Sequence, residues 1–253
     1  MPVAVFSNDA QPITIAVVAD MSGGIFDLTW YAALRNALVR MVDELGPQDR
    51  ARIGTFGGSE IAMGFHLTSD HAELKRVISE EVWPQGGPRH LWNAVGAAMM
   101  SLKNEPGRRV VLVLTNGPDS MNDIPGMPGA SYVDKTLRDS GFMIYAVVPF
   151  PRNQMLLNPD GDIQPRVSLP DLVDLSGGGY IQTTSSDYMR RPASAATDPL
   201  LMALPRVIDE LRHQYSLGFV PRQRDGREGK LDVRVSRDGA VVTARKTYRA
   251  PTR

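Results

Sequence analysis

The apolar positions of this chain change their period several times along its length, and each change marks an element. Residues 13–19 form an unbroken, β-branched-rich apolar run closed by Asp20-Met21-Ser22-Gly23-Gly24, which predicts a strand buried on both faces. Tyr31, Leu34, Leu38, Met41 and Leu45 then recur at three- and four-residue intervals, with Arg35, Arg40, Asp43 and Glu44 between them. That is an amphipathic helix, ended by Gly46-Pro47. Residues 52–56 and 61–67 read as two strands joined by the tight Gly57-Gly58 turn, hence antiparallel, with the second at a sheet edge. Ser69 or Thr68 is expected to cap the next helix, whose buried face is Leu74, Val77, Ile78 and Val82. Residues 91–102 read as a helix whose small residues Ala94, Gly96, Ala97 and Ala98 allow close approach to a sheet, and 110–114 as a second wholly apolar strand ending at Thr115-Asn116-Gly117-Pro118-Asp119-Ser120. A short helix at 131–140, a strand at 142–148, a helix at 169–175 and a strand at 180–183 complete the alternation. The intervening loop 149–167, rich in Pro and Asn, has the length of a functional rather than a structural connection.

Strands alternating with helices over this length predict an α/β fold: a doubly wound, mostly parallel sheet with helices on both faces. The pattern then changes. Leu200, Leu201, Leu204, Val207, Ile208 and Leu211 mark one more helix, followed by strand-like runs at 215–220, 230–236 and 241–248, the last two joined at Arg237-Asp238-Gly239. The expected organisation is therefore a lead at 1–11, an α/β domain at 12–185, and a helix with a β extension at 186–253 packed on the same body.

With 253 residues there is enough chain for one large core. Lys and Arg total 28, as do Asp and Glu, so the overall balance gives no reason to expect nucleic acid as a partner. The charge is uneven, however. From Arg206 to Arg253 there are twelve basic and six acidic residues, an excess read first as strand-edge protection and alternatively as a site for an anionic partner. Cysteine is absent, which removes disulfides, thiol catalysis and Cys-ligated metals from consideration. No run reaches the length needed to cross a bilayer, and no secretory leader is legible at the start, so the chain reads as soluble as given.

Three loops carry the candidate chemistry: Asp20-Met21-Ser22-Gly23-Gly24, Gly87-Pro88-Arg89-His90-Leu91 and Leu114-Thr115-Asn116-Gly117. A doubly wound sheet brings such loops together outside the carboxyl ends of its strands. Over residues 12–185 the pattern resembles the von Willebrand factor type A domain, and the tail, from Leu211-Arg212-His213-Gln214-Tyr215-Ser216-Leu217-Gly218-Phe219-Val220-Pro221 to Val242-Thr243-Ala244-Arg245-Lys246-Thr247-Tyr248, is similar to the related domain of Acidobacteria. The resemblance implies an adhesion-type, non-enzymatic protein-interaction module, exported in its native form, with a protein partner that the sequence does not name. It also implies a site for Mg²⁺ or Mn²⁺ built from Asp-x-Ser-x-Ser, a Thr and an Asp on three loops. Asp20 and Ser22 match that pattern, but Gly24 stands at the second Ser, Arg89 at the Thr and Asn116 at the Asp. Hard cations need an octahedral set of oxygen donors, so the expectation is no bound cofactor; if a metal bound, Asp20, Ser22 and Asn116 would hold it. Two placements are open to Arg89: its guanidinium fills the space of the lost cation and pairs with Asp20, or it points into solvent beside a decayed site.

Around this core the candidate contact residues are Asp20, Ser22, Gly24, Arg89, His90, Asn116 and Asp119. Asp119 and Asp123 are either replacement carboxylates or turn caps. His66, His71, His90 and His213 have no ligand-like spacing. The methionines between Met121 and Met127 are either core fillers or an adaptable contact surface, and Trp30 and Trp92 are expected to be buried. No nucleophile elbow, phosphate loop or dinucleotide fingerprint is present. The alternatives to an interaction module are a scaffold subunit that uses the β extension and a divalent-metal-dependent adhesion domain. No oligomeric state follows from the sequence.

Overall fold

The computed structural model describes residues 3–8, 11–22, 28–58, 60–64, 66–115, 119, 123–148, 168–182, 199–221 and 224–252, with side chains in the first long helix described from Tyr31 onward. The expectations for the loop 149–167, for Thr183, for Met121 and for the Trp30 side chain lie outside these residues.

The long apolar runs become the middle of a six-stranded sheet. β2 (Ile13–Asp20) is buried at every position and lies between β3 (Arg50–Gly57) and β5 (Arg108–Leu114), parallel to both. β6 (Phe142–Val148) and β7 (Tyr180–Gln182) continue the parallel sheet on one side. On the other side β4 (Glu60–Met63) pairs antiparallel with β3 and forms the edge, giving the order β4-β3-β2-β5-β6-β7. β4 is shorter than the run 61–67 suggests: beyond it Gly64 N donates to Ile53 O at 3.0 Å, and Thr68 rejoins the sheet as an isolated bridge to Ala51.

Alternate side chains of each central strand enter two separate cores. Ile15, Val17 and Ala19 of β2, with Val110, Leu112 and Leu114 of β5, meet α1 (Leu28–Asp43), α2 (His71–Glu81) and α6 (Pro199–Arg212). Ala16, Val18, Val111 and Val113 face α3 (Leu91–Ser101), α4 (Ala130–Asp139) and α5 (Leu169–Ser176). This two-sided burial explains why the strands read as continuous apolar runs rather than alternating ones. α6, placed with the extension by sequence, is part of the first core. Trp92 is buried as expected; Met99 is fully buried, whereas Met100 is exposed.

The helix ends show where local reading went astray. The cap of α2 is Asp70, whose carboxylate accepts from Ala72 N and Glu73 N at 2.8 and 3.3 Å. Thr68 cannot serve, since its backbone is held by Ala51; its hydroxyl instead accepts from Asp70 N at 3.0 Å.

Residues 1–11 carry no element in the sequence reading, yet β1 (Val3–Ser7) pairs antiparallel with β8 (Ser216–Phe219) in a separate two-stranded ribbon. Of the expected strands 230–236 and 241–248 only Lys230, Thr247 and Tyr248 lie in strands: β9 (Glu228–Lys230) and β10 (Thr247–Arg249) pair antiparallel, and residues 231–246 between them, including Arg237-Asp238-Gly239, form no strand. The tail's cations bind the body. Arg245 donates to the carbonyls of Leu137, Arg138 and Ser140 at the carboxyl end of α4, at 2.6–2.8 Å; Arg249 pairs with Asp139 and Lys246 lies 3.5 Å from Asp174. Burial lowers the Arg245 guanidinium pKa from its ordinary value, against the upward pull of Glu228 and Asp139.

Asp49, 3% exposed, ties the N-terminal end of the sheet to α6. Its carboxylate accepts from Ile13 N at 2.8 Å, from Gly46 N at 2.7 Å and from Arg212 Nη2 at 2.6 Å. Removing one partner of a buried, hydrogen-bonded ion pair strands the others. Asp49→Ala is therefore expected to lower unfolding free energy by about 2–4 kcal/mol in urea titrations. Asp43→Ala, which removes only an exposed pair with Lys75, should change it by less than about 1 kcal/mol.

Candidate functional site

Strand order reverses around β2: the chain passes from β2 to β3 on one side and resumes at β5 on the other. The carboxyl ends of β2 and β5 thus flank a topological switch point, where open α/β sheets bind ligands. Ala19 pairs with Leu114, so the next residues, Asp20 and Thr115, lie side by side at the crevice.

Asp20 is the centre of the arrangement, with a side chain only 1% exposed. Its Oδ1 accepts from Ser22 N at 3.0 Å and from Ser22 Oγ at 2.6 Å. Its Oδ2 accepts from Thr115 Oγ1 at 2.6 Å and from Arg89 Nε at 2.5 Å. A carboxylate offers about four lone-pair positions, and these four donors match them. Of the two placements open to Arg89, the structure has the ion pair, with the guanidinium-bearing side chain 16% exposed. Tyr31, on α1 and nearly buried, has its phenol pushed above its ordinary pKa by burial and then by the Asp20 carboxylate.

The loop bearing Arg89 is fixed by backbone contacts. Met21 N donates to Phe56 O at 2.7 Å, while Met21 O accepts from Gln85 N and Gly86 N at 2.9 and 3.0 Å. Gly87 has φ +79° and packs so closely on Gly58 that a Cβ would lie 2.5 Å from its Cα; a side chain there would lift the loop and carry Arg89 from Asp20. Gln85 Nε2 adds a bond to Thr55 Oγ1 at 3.0 Å.

The remaining candidates divide. His90 stands at the N-cap position of α3, where its side chain makes no cap bond. Asp119 Oδ1 accepts from Leu91 N at 2.6 Å, so this carboxylate binds the amino end of α3, where the helix dipole favours an anion. Asp123 packs against Gly129 at the start of α4, and Asn93 bridges α3 to the same segment through Ile124 N and Pro128 O. Gly24 and Asn116 lie outside the described residues. Thr115 was missed as a contact residue although it stands in the quoted loop; the signal was available, as the first hydroxyl after β5 in register with Asp20. Tyr31 gave none, because its spacing marks it only as helix core.

Of the residues that would hold Mg²⁺ or Mn²⁺, Asp20 and Ser22 are described, and the carboxylate such a cation would need already accepts from Arg89. The hydroxyls of Ser22 and Thr115 both donate to Asp20, as does the Arg89 guanidinium. Among the described residues, no group of three or more His, Asp and Glu side chains is placed to hold a metal ion.

An open, doubly wound α/β domain with a buried acid at its switch point defines the class, and comparison with solved structures makes it more specific. The chain is similar to a von Willebrand factor type A protein from Catenulispora acidiphila, with a TM-score of 0.58 at 16% identity over 79% of this chain and 43% of that one. It is similar to the vWF domain of the type V pili tip protein Mfa5 from Porphyromonas gingivalis, with a TM-score of 0.55 at 11% identity over 84% and 99% of the two chains. An aerotolerance-related membrane protein from Bacteroides fragilis gives a TM-score of 0.51 at 16% identity over 78% and 99%. No protein-family model and no curated protein sequence matches the chain. The protein therefore has the von Willebrand factor type A fold. No described helix is long and apolar enough to cross a membrane.

The ion pair makes a thermodynamic prediction. Arg89→Met should cost about 2–4 kcal/mol, because it leaves Asp20 buried without its counter-charge. In the double variant Asp20→Asn/Arg89→Met the two losses should fall short of their sum by about 1–3 kcal/mol. Strict additivity in denaturant titrations would mean that the pair is not coupled.

Proposed function

We propose that this chain is a non-enzymatic protein-interaction module that receives its partner on the loop face around Asp20, Ser22, Arg89, His90 and Asp119, and that it does so without a divalent metal. The observation that carries this reading is the saturation of Asp20 by Ser22, Thr115 and Arg89, which leaves the loops held together by a tethered cation. The vWF domain of a pilus tip protein among the similar structures supports an adhesive role by analogy of fold, and with it an exported native product. The reading that the β extension is the contact surface is less favoured, because Arg245, Lys246 and Arg249 are bonded to the body.

A ligand that binds only the folded state stabilises it, by about 2.7 kcal/mol at a hundred times its dissociation constant. The thermal unfolding midpoint should therefore be the same in Mg²⁺, in Mn²⁺ and in chelator, and calorimetric titration with either ion should show no binding heat. Partner recovery on the immobilised protein should likewise be unchanged by chelator. It should fall at least tenfold with His90→Glu and be unaffected by Val241→Glu on the exposed extension. Metal-dependent stabilisation, or recovery indifferent to His90→Glu, would overturn the proposal.

A further inference from the structure

β9 and β10 pair Glu228 with Arg249, Gly229 with Tyr248 and Lys230 with Thr247. Each step forward on one strand meets one step back on the other. Carried onward, this register sets Leu231 against Lys246, Val233 against Ala244 and Val235 against Val242, and leaves 237–240 as the turn. Both ends of that hairpin are present. Leu231 N donates to Lys246 O at 2.7 Å, and Ala240 N donates to Arg237 O at 3.3 Å across a turn in which Gly239 has φ +74°.

The ladder between the two ends is missing. Among the described residues no backbone hydrogen bond joins 232–236 to 241–245. Their sequence is nonetheless that of a hairpin. In this register Leu231, Val233, Val235, Val242 and Ala244 fall on one face, and Asp232, Arg234, Ser236, Thr243 and Arg245 on the other. A slip of one residue on either arm would mix the two sets.

The body holds the arms apart. In a hydrogen-bonded antiparallel pair the Lys246 amide would return a bond to Leu231 O; it donates instead to Leu175 O near the end of α5, at 3.2 Å. Arg245 reaches the carbonyls of Leu137, Arg138 and Ser140 at the end of α4. The backbone of Ala244 and Arg245 lies so close to Gly177, at φ +73°, that a Cβ there would collide with both residues. The second arm is thus drawn onto the carboxyl ends of α4 and α5, and the first arm is left without its partner.

We infer that residues 231–246 are a strap with two states: the clasped one of this structure, and a hairpin zipped in the register above. In the zipped state the Lys246 amide bonds Leu231 O, Arg245 leaves the α4 carbonyls to stand opposite Asp232, and the ends of α4 and α5 are uncovered. The exchange is nearly even. Clasping makes three bonds from Arg245 to the α4 segment; zipping makes four ladder bonds, two each in the pairs Val233–Ala244 and Val235–Val242, and the Lys246 amide is satisfied in both states. A switch requires two arrangements balanced in this way. α4 and α5 lead into β6 and β7, so their carboxyl ends lie at the amino ends of those strands, away from the loop face, and the strap goes beyond the function proposed above.

Amide hydrogen exchange read by NMR distinguishes the states. In the native chain Val233, Val235, Val242 and Ala244 should exchange within about twofold of Asp232, Arg234 and Thr243. Arg245→Thr, which removes the clasp, should slow the first four by about tenfold and leave the other three unchanged, with the amides of α4 and α5 still protected. The absence of cysteine permits a second reading with Arg245 intact. Arg234→Cys/Thr243→Cys joins positions that the zipped register makes direct neighbours, at about 4.5 Å between Cα atoms. On mild oxidation this pair should close within one chain and show the same slowed amides, whereas Ser236→Cys/Thr243→Cys, offset by two residues, should close at least about fivefold more slowly. Should Arg245→Thr not fold, the cysteine pairs decide alone. Fast exchange at all four amides in folded Arg245→Thr, slowed amides already in the native chain, or equal closure of the two cysteine pairs would each overturn the inference.

Discussion

A carboxylate at the end of a fully buried strand must be neutralised within the protein, and the upper half of this molecule is arranged around that requirement. Asp20 has almost no access to water, so an unmatched charge there would cost more than any one hydrogen bond returns. Its donors come from its own loop, from the end of β5 and from the segment before α3. No two of these segments are adjacent in sequence, and each is positioned by a different strand or helix. The acid therefore acts as a joint: the sheet places it, and its bonds place the loops.

The same joint sets the electrostatic character of the crevice. Arg89 is delivered by a loop that is itself bonded to Met21, the residue after Asp20. Acid and base are thus tied by backbone as well as by charge, and the guanidinium cannot diffuse away as an ion can. On the proposed reading, the face is preformed at any metal concentration, and the cost of arranging its loops is met during folding rather than at binding.

Much of this was legible in the sequence because it rests on rules that act locally or on composition. The two-sided strands β2, β5 and β6 appear as unbroken apolar runs, and the helices by their period; the pairing of Arg89 with Asp20 could be posed in advance because a buried acid needs a counter-charge. What could not be read depends on partners distant in the chain. β1 pairs with a strand more than two hundred residues away and hides little of its apolar surface, so its pattern resembles a tail. Asp49 looks like a loop acid until α6 brings Arg212 to it. The cap of α2 shifted to Asp70 because a tertiary bridge had already engaged Thr68.

The charge asymmetry between tail and body finds its explanation in the same long-range contacts. Arginine is suited to carbonyls at a helix carboxyl end, where several acceptors converge and the dipole is negative. Three arginines are used in this way: Arg245 on α4, Arg212 on Glu44 O after α1 and Arg108 on Leu211 O of α6. Two of these, Arg245 and Arg212, belong to the tail, and with Arg212 also on Asp49, Arg249 on Asp139 and Lys246 beside Asp174, the tail's cations serve to fasten it to the body.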